Sequence, residues 1–194
     1  MNIIIAPSTA QIEIKGSKFI SHLVLMSDFE GLQDKLRRQY PKSRHVVYAY
    51  RYLNDFDQVV ENSSDDGEPK GSAGVSALNV LRGNDLIGCA VLIVRYFGGV
   101  KLGVGGLVRA YTDATKAAIV ESNMKKYEKL NTISYLSSYK DVEHIEYLLK
   151  RHDIKDIQKS FADNVIWQIA ATSKQIDAFK NDAGRMIDEV PNLQ

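Results

Sequence analysis

Five glycines and three cations fall close together at Arg95, Gly98, Gly99, Lys101, Gly103, Gly105, Gly106 and Arg109. Glycine lets a backbone take positive φ and approach a ligand closely. The apolar run Leu86 to Val94 ahead of them reads as a buried strand. Residues 105–122 behind them read as a helix, with Leu107, Tyr111, Ala114 and Ala118 as its apolar stripe. The first N–H groups of such a helix have no partner within it, and they carry the positive end of the helix dipole. With the three cations they suit an anion such as a phosphate. The spacing excludes a Walker loop, because Gly103 is followed by Val104 where Lys and then Ser or Thr are required. It excludes a dinucleotide fingerprint as well, since position 108 is valine. The competing reading is a tight crossover in which the glycines serve only strand–helix packing.

A second group, Asp65, Asp66, Gly67, Glu68, Pro69 and Lys70, is acidic and turn-forming. Its carboxylates suit Mg²⁺, a hard cation that prefers oxygen ligands. They suit equally an ion pair with Arg95 or Arg109. His45 and Arg51 fall on one face of a Tyr- and Val-rich strand over 44–52, where His45 is placed to act as a general base. Tyr48, Tyr50 and Tyr52 alternate onto the other face and, with Tyr96, offer rings on which bases stack. Ser63, Ser64 and Ser72 lack the Gly-x-Ser-x-Gly elbow of a hydrolase nucleophile.

The elements that must position these groups follow from the patterning. Residues 11–26 read as one or two strands broken near Gly16. Ser27 to Glu30 is a capping-box pattern that opens a helix through Phe29, Leu32 and Leu36, which Pro41 stops. Residues 54–72 are polar and read as a loop of functional length. A short helix spans about 73–82. Beyond Lys125-Lys126 the order is strand (130–136), helix (141–151), strand (154–161), strand (165–172), a helix opened by Thr172-Ser173, and a last strand near 186–190. This β-α-β-β-α-β order is ferredoxin-like. The reading is an α+β chain of two domains, 1–126 and 127–194.

Composition narrows the function. The net charge of +1 gives no global basic field. Residues 1–126 carry 16 Lys and Arg against 13 Asp and Glu, and 127–194 carry 9 against 11. A nucleic-acid contact must therefore use a local patch, and sequence-specific DNA binding is not expected. The single Cys89 lies in an apolar run, which excludes a disulfide framework or cysteine zinc site. The start of the chain has no basic leader, and no apolar run approaches the roughly 20 residues of a membrane span. A cytoplasmic location without membrane contact is expected.

Asp65-Asp-Gly-Glu-Pro-Lys-Gly-Ser-Ala-Gly74 resembles the Asp-Asp-Gly-Glu-Pro-x-Gly-Thr-Ala-Gly signature of the YigZ/IMPACT family. Arg95 to Tyr111 is similar to that family's second signature almost residue for residue. Ser17-Lys-Phe-Ile20 and His45 with Ala49-Tyr-Arg51 fit as well. Lys70 and Ser72 are the small departures. The resemblance implies a first domain like domain two of the fifth small-subunit ribosomal protein. It implies a second domain like the last domain of elongation factor G. It further implies a role in translation. Eukaryotic relatives act there by interfering with activation of a stress kinase through an additional RWD domain, and that partner is not carried over. The expected function is regulation of translation by binding RNA or a ribosome-associated surface at the glycine loop. Arg95, Lys101 and Arg109 would hold phosphates there, supported by His45, Arg51, the acidic loop and Lys70. No cofactor is expected in this reading. The alternative is an enzyme acting on a phosphorylated or nucleotide substrate, with Mg²⁺ in the acidic loop.

Overall fold

A computed structural model of the chain describes residues 1–191. In chain order the elements are β1 (Asn2–Ile4), β2 (Ser8–Ile14), β3 (Ser17–Leu25), α1 (Leu32–Gln39), β4 (His45–Leu53), β5 (Val59–Ser64), α2 (Gly74–Gly83), β6 (Cys89–Tyr96), α3 (Gly103–Val120) and β7 (Met124–Lys126). Then follow β8 (Asn131–Ser137), α4 (Val142–Arg151), β9 (Asp156–Phe161), β10 (Val165–Ala171), α5 (Ser173–Ala183) and β11 (Asp188–Val190). The chain divides into two compact units, the first Met1–Tyr127 and the second from Glu128 onward.

In the first unit β2-β3-β6-β4-β5 form one antiparallel sheet. Lys15 and Gly16, both at positive φ, turn the β2–β3 hairpin, the geometry that fits the right-handed twist of its strands. Helices α2 and α3 pack on one face through Ala77, Leu81, Leu107, Ala110, Tyr111 and Ala114, against Phe19, Leu23, Val47, Ala49, Val91 and Ile93. The other face carries Val46, Leu92 and Val94 beneath α1 and Leu36. Strand β6 is buried on both faces for that reason, which explains its unbroken apolar run.

Three local expectations are corrected. Ser27 does not cap a helix: Met26–Asp28 form a 3-10 turn, and α1 starts at Leu32 behind Gly31 at φ 71°. Only glycine enters that left-handed position without strain. The polar stretch 54–72 contains β5, an edge strand whose partners on β4 supply the pairing that its composition hides. Helix α3 begins at Gly103 rather than Gly105. The tyrosines of β4 are a packing layer. The ring of Phe29 sits 5.3 Å from Tyr48 and 5.2 Å from Tyr50.

The second unit has the order β8-α4-β9-β10-α5-β11, with the sheet arranged β11-β8-β10-β9. Its core gathers Ile145, Leu148, Val165, Trp167, Ile169 and Phe179. The indole of Trp167 donates to Ser137 Oγ at 2.8 Å, which satisfies its one polar atom in the interior. Thr172 caps α5 in a reciprocal box with Gln175. Among the described residues no helix is long and apolar enough to cross a membrane.

Candidate functional site

Three paired strands place Phe19, Arg95 and His45 in one row on the face toward α3, where β3 pairs Phe19 with Arg95 and β4 pairs His45 with Arg95. The acidic loop arches over this row. Tyr111 of α3 closes it, its ring edge-on to Phe19 at 5.2 Å. The loop is held by its own carboxylates. Asp65 accepts the amides of Gly71 (2.7 Å), Ala73 (3.0 Å) and Gly74 (2.8 Å), and so caps the start of α2. Asp66 accepts the Val46 amide at 2.5 Å and pairs with Arg37. Gly67 takes φ 83° at the turn, and His45 Nδ1 donates to the Asp66 carbonyl at 2.7 Å.

Glu68 points inward. Its Oε1 accepts Arg95 Nη1 at 2.5 Å and the Tyr111 hydroxyl at 2.8 Å, with His45 Nε2 at 3.9 Å. Burial, and then the Glu68 carboxylate, push the Tyr111 phenol far above its ordinary value, so it stays a donor. Glu68 and Arg95 form a neutralised pair that is almost wholly buried. The Arg95 guanidinium also lies over the rings of Phe19 and Phe97, at 5.6 and 5.8 Å.

The structure therefore divides the residues expected at the site. Arg95, His45 and Glu68 come together, and Arg95 faces the loop rather than open solvent. Arg51 does not join them. It stands about 20 Å along β4 from His45 at the usual rise per residue, paired with Glu61 at 2.9 Å and donating to the Leu86 carbonyl at 3.0 Å. Each carboxylate of the loop already holds donors of its own fold. Among the described residues no group of three or more His, Cys, Asp or Glu is arranged to hold a metal. Lys70, Lys101 and Arg109 are exposed and make no ion pair among the described residues. Arg109 follows Gly106 and Gly105 by three and four positions, on the same face of α3.

The glycines separate into two kinds. A Cβ on Gly98 would lie 1.9 Å from the Gly16 carbonyl carbon, so packing of the loop against the β2–β3 turn requires glycine there. A Cβ on Gly74 would meet the Ser64 backbone at 2.7 Å. Gly105 is different: its φ is not positive, and a Cβ there would meet nothing within 4 Å. Gly99 and Gly103 have open space too, but take φ 86° and 70°. At Gly106 the sole close neighbour is the Leu102 Cβ at 3.1 Å. The first turn of α3 thus has bare backbone, no capping side chain and no acidic residue.

Between this turn and the acidic loop lies a pocket of about 250 Å³, bordered by Glu68, Arg95, Phe97, Lys101 and Leu107 among others. Sequence reasoning missed Tyr111 and Phe97 as parts of the site. Tyr111 sat in the apolar stripe of α3, and its hydroxyl was the signal, because a buried tyrosine needs a partner for its polar tip.

Residues 15–119 match the model of the Impact N-terminal domain. An IMPACT family member of Haemophilus influenzae is 31% identical over 188 residues, covering 90% of this chain and 89% of that protein. The IMPACT family member YigZ of Escherichia coli is 31% identical over 177 residues, covering 90% and 87%. YvyE of Bacillus subtilis is 30% identical over 172 residues, covering 87% and 78%. A crystal structure of a hypothetical protein superposes with a TM-score of 0.65 at 28% identity, covering 100% of this chain and 97% of that one.

Proposed function

This chain belongs to the IMPACT family, and from that premise we propose that it regulates translation by binding RNA or a ribosome-associated surface through the open amino terminus of α3. The observation that carries the reading is Gly105. Glycine in a helix costs roughly 0.5–1 kcal/mol relative to alanine, and neither packing nor backbone angle asks for it there. A bare amide edge that an anion can approach supplies the reason. Lys101 and Arg109 add cations near the positive end of a helix dipole, an arrangement unfavourable for the helix alone and favourable once a phosphate is bound. Arg95 contributes less, because Glu68 neutralises it. The translation setting and a cytoplasmic location are what the family resemblance implies.

The test replaces both free cations, as Lys101→Glu with Arg109→Glu. Fluorescence anisotropy with labelled single-stranded RNA should show binding strongly weakened, with thermal melting unchanged. Removing two phosphate contacts lowers the slope of log affinity against log salt by about 1.4, at roughly 0.7 per contact on a single strand. Unchanged affinity and slope in the double variant refute the reading.

A further inference from the structure

We propose that the pocket between the acidic loop and the first turn of α3 takes a nucleobase of single-stranded RNA, with the attached phosphate resting on the helix terminus at its rim. The inference rests on the RNA reading above and gives that site a specific occupant.

Two atoms in the pocket carry it. Arg95 is 6% exposed, and its Nε is shut from solvent without a partner. Its Nη1 is spent on Glu68. Its Nη2 makes no hydrogen bond among the described residues, and Arg95 borders the pocket. Glu68 is 8% exposed, with Oε1 occupied by both Arg95 and Tyr111. Its Oε2 likewise has no hydrogen-bond partner among the described residues, and Glu68 borders the pocket. At the pocket's border the pair thus leaves the N–H donors of Nη2 and the acceptor Oε2 without partners, on groups of opposite charge.

That chemistry selects against a second anion inside the pocket. The charge of Arg95 is already met, and the Glu68 carboxylate would repel a phosphate or carboxylate placed beside it. Apart from Lys101 and Gly103, the remaining walls are apolar: Pro69, Phe97, Leu102, Val104 and Leu107. A flat, uncharged ring with a donor and an acceptor on one edge fits such a space. Nucleobases splayed from a single strand present that edge and are read there by hydrogen bonds and stacking. Phe97, 46% exposed, supplies an aromatic wall of the kind on which single-strand binders stack bases. The volume, about 250 Å³, lies just below the roughly 300–1,000 Å³ of pockets that engulf whole ligands. It leaves sugar and phosphate outside, where the α3 amides and Lys101 stand.

The experiment compares fluorescein-labelled hexauridylate with the same hexamer built from N3-methyluridine, by anisotropy. Methylation removes the donor on the base edge and leaves every phosphate in place. The methylated hexamer should bind about tenfold more weakly. Phe97→Ala, at an exposed position, should weaken binding of plain hexauridylate by a similar factor through lost stacking, with melting unchanged. Equal affinity for the two hexamers, with salt-sensitive binding intact, overturns the base pocket and leaves the phosphate site standing. Failure to bind either hexamer overturns the RNA reading and the base pocket with it.

Discussion

Gly105→Ala should make the protein more stable and its RNA binding weaker. Position 105 has an ordinary helical φ, and an added methyl has nothing within 4 Å to strike. Replacing glycine there therefore recovers about 0.5–1 kcal/mol of backbone entropy and helix propensity. At roughly 2–8 °C per kcal/mol for domains of this size range, the melting point rises by a few degrees. Binding moves the other way. Every Cα–Cβ bond of a helix leans toward its amino terminus, so the methyl stands over the unpaired amides at the start of α3. Losing one hydrogen bond to a charged oxygen, about 1.5 kcal/mol, weakens binding about tenfold. Urea unfolding followed by circular dichroism reads the first quantity, and anisotropy with single-stranded RNA reads the second. A variant that gains stability and binds RNA as before refutes the reasoning, for the bare backbone would then serve no ligand. A variant that loses stability refutes the open space around position 105.

Two further outcomes are expected. Asp65→Ala removes the carboxylate that holds the amides of Gly71, Ala73 and Gly74, and should cost about 2–3 kcal/mol in urea unfolding; a loss below about 0.5 kcal/mol would show that the loop is not held from within. Burial lowers the pKa of His22 from its ordinary 6.5, and its Nε2 is enclosed without a partner. The unfolded chain therefore takes up a proton more readily below that value, so stability is full above pH 6.5 and falls as acid approaches the folded-state pKa. His22→Leu should flatten the fall in urea midpoint between pH 7.5 and 5.5, and an equal fall in both proteins would disprove it.

Much of the fold was legible because its strongest patterns are local. The β6 run, the stripe of α3 and the β-α-β-β-α-β order of the second unit each announce themselves by periodicity. The failures share a cause in tertiary pairing. Strand β5 is polar, and is a strand because β4 offers it a ladder. Ser27 and Glu30 have the composition of a capping box, yet the chain must first pass Gly31 in a left-handed turn before α1 can start. No residue type records the first event, and Gly31 alone marks the second.

At the site, the chemistry-bearing residues were legible and their pairings were not. The cations and acids of the two signatures stand far apart in the chain, and nothing in composition says which acid meets which cation. The fold answers by dividing the acidic loop among separate tasks. Asp65 and Asp66 spend their charge on backbone amides and Arg37, which fixes the loop. Glu68 turns inward and cancels Arg95. The cationic character expected of Arg95, Lys101 and Arg109 therefore shrinks to the last two and to the α3 amides. What remains of the pair is the unpartnered Nη2 of Arg95 and the unpartnered Oε2 of Glu68. In the proposed reading such a site would hold an anion weakly at its surface and a neutral polar edge inside. That division of labour suits a ligand that carries both on one unit, and the alternating phosphates and bases of a single strand do.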